Sequence, residues 1–217
     1  MDLPDDVEFV FVDDGSDPPL RFKTTLKNFI TFQTNDKRPW TQPAARNKGV
    51  AVASGEYLIC TDIDHIITRE IIETARSTTY DVVNFRREAA VLEENADFTQ
   101  DLNVLRKYGF SEAWIAKRGL WLGKHGNSYI MKRELFLKFG GSRVDRETTY
   151  PNRDEVKLRS RIRRARDRGE IFVSPNTPMI YCIPNGRFCG DLDADPLGLF
   201  HKTSRREFLN PDALHKA

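Results

Sequence analysis

In this chain of 217 residues 30% are charged, yet 34 Lys and Arg stand against 32 Asp and Glu, leaving a formal net charge of +2. That balance makes no general case for nucleic acid as a partner, and the length allows one large domain, or two small ones, with a full apolar core. No apolar run approaches the ~20 residues that cross a bilayer, and the acidic N-terminus lacks the pattern of a secretory leader, so a cytoplasmic protein without a transmembrane segment is expected. The three cysteines, Cys60, Cys182 and Cys189, form no CxxC pair, which argues against a disulfide framework and a zinc site.

Glu8 to Val12 is a short apolar run, predicted as a strand, that ends in Asp13, Asp14, Gly15, Ser16, Asp17, Pro18 and Pro19. The carboxylates fall at the strand's carboxyl end, and Gly15 allows a tight backbone that a nucleotide base or ribose can approach. Taken alone, the same residues make an ordinary polar turn. Leu20 to Asn28 is predicted as a helix and Phe29 to Phe32 as a strand.

The stretch from Ala44 to His65 combines three signals. Ala44, Val50, Ala51 and Ala53 suit a short amphipathic helix ended by a left-handed Gly55. Tyr57 to Cys60 is predicted as a parallel strand covered on both faces, and Asp62 and Asp64 follow at its carboxyl end. In open α/β sheets ligands bind at that end, so two carboxylates there suit a hard cation. His65, next to them, reads equally as a ligand and as an outer or solvent-facing residue. A helix over Glu70–Ser77 and a strand over Asp81–Phe85 continue the alternation, which favours a single, mostly parallel sheet flanked by helices.

Arg86 to Arg118 is predicted as a helical excursion. Gly119 to Asn127 is expected to be a loop whose glycines, Gly126 among them, bring backbone close to a ligand beside Asn127, while Trp121 covers it as donor-sugar or acceptor contact. A helix over Lys132–Phe139 is stopped by Gly140 and Gly141. Asn152 to Gly169 carries the clearest helix signal: Asn152 and Glu155 form a capping box, and Leu158, Ile162 and Ala165 make one apolar face. Arg159, Arg161, Arg163, Arg164, Arg166 and Arg168 occupy the other faces and read as solvated, with contact to RNA or a membrane as the secondary reading. Strands over Ile171–Val173 and Met179–Ile183 follow. Asp191, Asp193 and Asp195 alternate like a calcium loop, but Pro196 and Lys202 stand where that loop needs Gly and Glu. The whole is expected to be one domain, residues 1–85 forming a nucleotide- and metal-binding half and 86–217 an acceptor-binding half with a C-terminal tail.

Four segments in order, VEFVFVDDGSD, AARNKGVAVASGEYLICTDID, GNSYIMKRELFLKFGG and DEVKLRSRIRRA, resemble the family 2 glycosyltransferases of the A-type nucleotide-sugar fold. The intervals from Asp14 to Asp62 and from Asp64 to Glu155 are of the size that fold uses. The resemblance implies transfer of a sugar from a nucleoside diphosphate donor, expected to be UDP, to a hydroxyl of a glycan, lipid or protein acceptor, with inversion at the anomeric carbon. Asp62 and Asp64 match the family's DxD pair, which holds Mn²⁺ or Mg²⁺ against the leaving diphosphate. Asp13 and Asp14, with Asp62, are the candidates for the nucleotide, Asp14 falling on the family position that meets base or ribose; Arg46 matches the residue near the diphosphate. His201 is the candidate for the histidine that completes the metal site in many relatives.

The acceptor needs a base, and the family places an acidic pair at the start of a helix of the form E-D-x-E-L-x-x-R. Asp154, Glu155, Leu158 and Arg161 fall on that form, with Lys157 replacing an acid and the pair's order reversed. Glu155 is accordingly the base candidate and Asp154 its neighbour; the alternative is that both merely favour the helix's positive end, at ~0.3–1 kcal/mol each. Relatives begin with a strand and helix ahead of the DDGS strand. The chain starts after these, so a truncated form is expected, marginally stable alone. Its slot between Glu8–Val12 and Tyr57–Cys60 would be closed by direct pairing or filled by another segment. Two other readings stand beside the enzyme: a nucleotide-sugar or glycan-binding module of the same fold without turnover, and nucleic-acid binding through the Arg-rich helix.

Overall fold

The computed structural model describes residues 4–36, 41–63, 65–89, 123–142, 144 and 153–182. In chain order the elements are β1 (Phe9–Asp13), β2 (Phe29–Gln33), α1 (Gln42–Val52), β3 (Tyr57–Cys60), β4 (His65–Ile66), α2 (Arg69–Ser77), β5 (Val82–Ala89), β6 (Gly123–Lys132), α3 (Arg133–Lys138), α4 (Arg153–Asp167) and β7 (Met179–Cys182). They form two compact units. The first holds β1, β2, α1, β3, the head of β5, most of β6, α3 and α4; the second holds β4, α2, the rest of β5, and β7.

In the first unit β1 and β2 pair in parallel, from Phe9 opposite Phe29 to Asp13 opposite Gln33. The helix expected over Leu20–Asn28 is not formed. Phe22 instead lies edge-on to Phe11 (ring centroids 4.6 Å apart) and to Phe29 (5.3 Å), and Phe9 stacks on Phe29 at 5.3 Å. Those aromatic contacts outweigh a weak local helix propensity.

Helix α1 closes on β1 at Gly49, where a Cβ would sit 3.2 Å from Val12 Cγ2. It ends by turning extended at Ala53 (φ −61°, ψ 140°) rather than by a left-handed Gly55. The cause is Glu8, whose Oε1 accepts the amides of Ser54 and, at 2.9 Å, Gly55, just past the helix. β3 occupies the predicted residues, but its partner is antiparallel β6, from Tyr57 opposite Lys132 to Cys60 opposite Tyr129. Among the described residues β1 pairs with β2 and β3 with β6, in separate sheets, so of the two expected outcomes, direct pairing or another segment in the slot, direct pairing of Glu8–Val12 with Tyr57–Cys60 is not formed.

Leu58, Cys60, Val82, Met131, Phe136 and Leu158 lead the apolar core of this unit. Asp81 ties its strands together. Its carboxylate accepts the Phe172 amide (2.7 Å) and pairs with Lys132 Nζ (2.9 Å), while its backbone bonds to Lys132 and Phe172. Burial pushes that carboxyl up, but the Phe172 amide and Lys132 outweigh it and hold it below the usual carboxylate range. The strand expected over Ile171–Val173 is reduced to a single parallel bridge between Val82 and Val173. Helices α3 and α4 end at left-handed Gly140 (φ 72°) and Gly169 (φ 72°), with amides returning to Phe136 and Leu137, and to Ala165 and Arg166.

In the second unit β7 pairs in parallel with β5, from Arg86 opposite Met179 to Ala89 opposite Cys182, and antiparallel with β4. β5 therefore runs on to Ala89, and residues 86–89 are strand where a helical excursion was expected; its remainder lies outside the described residues. Thr68 caps α2 by accepting the Ile71 amide, and Ile71, Phe85 and Ile180 are fully buried. Among the described residues the hydrogen-bonded strand orders are β1-β2 and β3-β6-β5-β7-β4. The fold is α/β, as expected, but its strands are mixed in direction, because β6 runs antiparallel to β3 and β4 antiparallel to β7. No helix among the described residues is long and apolar enough to cross a membrane.

Candidate functional site

The turn after β1 is organised by Asp13. Its carboxylate is buried and accepts three amides of its own chain: Gly15 (3.2 Å) and Ser16 (2.9 Å) at Oδ1, and Leu20 (3.0 Å) at Oδ2. Burial alone would raise the carboxyl, but the Ser16 and Leu20 amides, the Ser16 hydroxyl and the Gly15 amide together bring it from 3.8 down to about 2. Gly15 adopts φ 130°, and the backbone that approaches it is the Asp36 carbonyl, 2.8 Å from where a Cβ would sit. Gln33 at the end of β2 donates to the Ser16 carbonyl at 3.0 Å. The loop is thus fixed from three sides, with the Asp13 acceptor capacity directed inward.

Asp14, the next residue, is exposed and faces helix α1. Its Oδ2 accepts the hydroxyl of buried Thr41 at 2.7 Å. Thr41 precedes α1 but does not cap it with its own side chain, and the first turn of α1 has no acid. A carboxylate held at a helix N-terminus is favoured by the backbone dipole. Arg46 sits one turn further along the same helix, half-buried. The turn after β1 and the start of α1 are therefore one piece, carrying Asp13, Asp14 and Arg46.

The turn after β3 belongs to the second unit. The Asp62 carbonyl accepts the Thr61 hydroxyl (3.2 Å) and the His65 amide (3.3 Å), and Ile63 is 81% exposed. Asp62 itself is half-buried, His65 opens β4, and Asp64 lies outside the described residues. A Mg²⁺ or Mn²⁺ ion whose shell is completed by phosphate and water needs only one or two protein carboxylates. Asp62 is a hard oxygen donor on such a turn, which fits that requirement. Among the described residues no three His, Cys, Asp or Glu side chains gather to hold a metal ion.

Asp154 and Glu155 stand in the first turn of α4, their side chains outside the described set, and Asn152, the expected cap, is outside it too. Leu158 is buried in the core, and the Arg161 guanidinium donates to the Phe139 carbonyl. Gly126 and Asn127 belong to strand β6, not to the expected loop, because β6 has ladder partners in β3 and β5 that its glycine content does not reveal. Trp121 and His201 lie outside the described residues. Thr41 and Asn47 were not singled out from sequence. Thr41 stands just before Gln42 and Pro43 and so carries a helix-start signature. Asn47 bonds to Ser142, 95 residues away, and has no local signal.

Residues 2–140 match the family model described as Glycosyl transferase family 2. No curated protein matches the chain.

Proposed function

The chain belongs to the family 2 glycosyltransferases, and from that premise we propose that it transfers a sugar, with inversion, from a UDP-type donor to an acceptor hydroxyl. The observation that carries this reading is the β1–α1 piece, where Asp14 is fixed at the helix N-terminus by Thr41 one turn before Arg46. In it Asp13 shapes the loop, Asp14 meets the ribose or base, and Arg46 faces the diphosphate, for which a guanidinium offers paired donors. Asp62 and Asp64, with His201 as a third candidate, would hold a divalent Mn²⁺ or Mg²⁺, which would supply positive charge to offset the negative charge developing on the leaving diphosphate.

Glu155 takes the proton from the acceptor hydroxyl as that oxygen bonds to the anomeric carbon. The bond from that carbon to the phosphate oxygen breaks on the opposite face, and its electron pair leaves with UDP. Asp154 shapes the field around the base. Trp121, Gly126 and Asn127 are proposed to meet the donor sugar or the acceptor. Residues 1–85 and 86–217 would thus serve donor and acceptor respectively, within a cytoplasmic protein.

Calorimetry with UDP, with and without Mn²⁺, tests the donor side, and a panel of UDP-sugars assayed for UDP release tests turnover. Metal-dependent binding and turnover of at least one sugar are expected. Equal UDP affinity with and without metal sinks the metal assignment. On the acceptor side, Glu155→Gln is expected to cut transfer by ~10²–10⁴-fold with UDP affinity within a few-fold, and Asp154→Asn to be milder. The opposite ranking would make Asp154 the base.

A further inference from the structure

The exit of α3, Phe139 to Ser142, is gripped from two sides within the first unit. From α1, Asn47 makes a reciprocal pair: its Nδ2 donates to the Ser142 carbonyl at 2.7 Å and its Oδ1 accepts the Ser142 amide at 2.8 Å. The fit leaves no room. Gly141 has φ 64°, and a Cβ on it would lie 2.5 Å from Asn47 Oδ1 and 3.0 Å from Phe136 Cε1. From α4, the Arg161 guanidinium donates to the carbonyl of Phe139. Arg133 at the start of α3 adds a bond from its Nε to the Val50 carbonyl of α1, at 3.2 Å.

Apolar packing alone would not give these helices a unique register. Leu158 and Ala165 of α4 and Val50 of α1 share the core, but burial is non-directional and tolerates sliding along a helix axis. Hydrogen bonds to one turn do not. Asn47 follows Arg46 directly, and Arg161 lies on the helix that opens with Asp154 and Glu155.

We propose that Asn47 and Arg161 are positioning residues that lock α1 and α4 onto the Gly140–Gly141 turn, so that the diphosphate-side residue and the base are presented in one fixed register. This rests on the roles assigned above to Arg46 and Glu155. A displacement of about 1 Å at a reacting group can cost ~10²-fold in rate, so the lock acts far more on turnover than on nucleotide affinity, where Arg46 is one contact among several.

The test is Asn47→Ala, assayed with the fastest-turning UDP-sugar well below the melting temperature, beside calorimetry with UDP and Mn²⁺. The expected result is a loss of ~10²-fold in kcat with UDP affinity within threefold. Arg161→Ala should lose kcat likewise, and Arg161→Lys, which keeps a donor for the Phe139 carbonyl, should recover most of it. A kcat within threefold of wild type, or UDP affinity falling in parallel with kcat, overturns the proposal.

A second arm needs no turnover. Gly141→Ala is compared in the wild-type and Asn47→Ala backgrounds by denaturant unfolding, and it should destabilise less where Oδ1 has been removed. Equal cost in both backgrounds means that the lock is absent in solution. Glu155→Gln in the same rate assay separates the two readings: an active Glu155→Gln enzyme sinks the base assignment, whereas the paired Gly141→Ala measurements judge the lock.

Discussion

The turn after β1 and the turn after β3 each follow a short apolar strand with closely spaced acids, and the hydrogen bonds described at the two turns differ. At the first, Asp13 is buried and accepts three amides of its own loop, and Asp14 accepts the Thr41 hydroxyl at the start of α1. At the second, the Asp62 carbonyl accepts the Thr61 hydroxyl and the His65 amide, and the neighbouring Ile63 is 81% exposed. An acid that satisfies backbone donors builds a loop. Asp62, whose carbonyl takes part in closing its turn, is the residue proposed above to serve the metal and diphosphate.

If that contrast holds, removing an acid from each turn gives opposite phenotypes. The largest effect is expected for Asp64→Ala: UDP-sugar turnover with Mn²⁺ falls on the order of 10³-fold, since loss of the metal's charge stabilisation is worth several kcal/mol, while the melting temperature stays within about 2 °C. Rates and thermal melts of the same preparation check this, and a large drop in melting temperature would place Asp64 with the loop-building acids. Asp13→Ala is the converse. Three amides lose their acceptor, and a destabilisation of ~2–4 kcal/mol is expected in denaturant unfolding, reduced from the full sum because the exposed side of the loop admits water. Unchanged stability would remove the distinction between the turns.

The pH dependence sharpens the same point. The Asp13 carboxyl is depressed in the fold to about 2, from 3.8. Its contribution is therefore fully present above pH 4 and is lost as pH falls from about 4 towards about 2, where the folded state too takes up the proton. Asp13→Asn should flatten that part of the acid unfolding curve, and stability measured at pH 5, 4, 3 and 2 in both proteins checks it. A smaller loss, ~1–3 kcal/mol, is expected for Gly15→Ala, which forces a side chain into φ 130° against the Asp36 carbonyl. The smallest is Asp14→Ala, ~1 kcal/mol in stability for the Thr41 bond, accompanied by a several-fold loss of UDP affinity by calorimetry. Loss of stability without loss of affinity would make Asp14 a second loop builder.

Much of this architecture was legible because its signals are short-ranged. Tyr57–Cys60 is a strand over the residues expected, being an apolar run bounded by Gly and polar residues. The ends of α3 and α4 fall at Gly140 and Gly169, since a left-handed φ is a property of one residue. The positions of Asp14, Arg46 and Asp62 on their turns and helix follow from the same local reading. Legibility ended at Leu20–Asn28, where a weak helix pattern lost to the packing of Phe22 on Phe11 and Phe29, and at Gly126 and Asn127, whose strand exists through partners elsewhere in the chain.

By itself, then, the sequence determined which residues carry acids at strand ends, where helices stop, and which family's order of segments the chain follows. Tertiary structure alone decided that β3 pairs antiparallel with β6, that Glu8 rather than Gly55 finishes α1, that Asp14 faces Thr41, and that Asn47 grips a turn 95 residues away. The division has a physical basis. Backbone angles, caps and apolar periodicity are settled within a turn or a few residues. Which donor meets which acceptor depends on segments brought together only when the apolar core closes, and no window of sequence contains both partners.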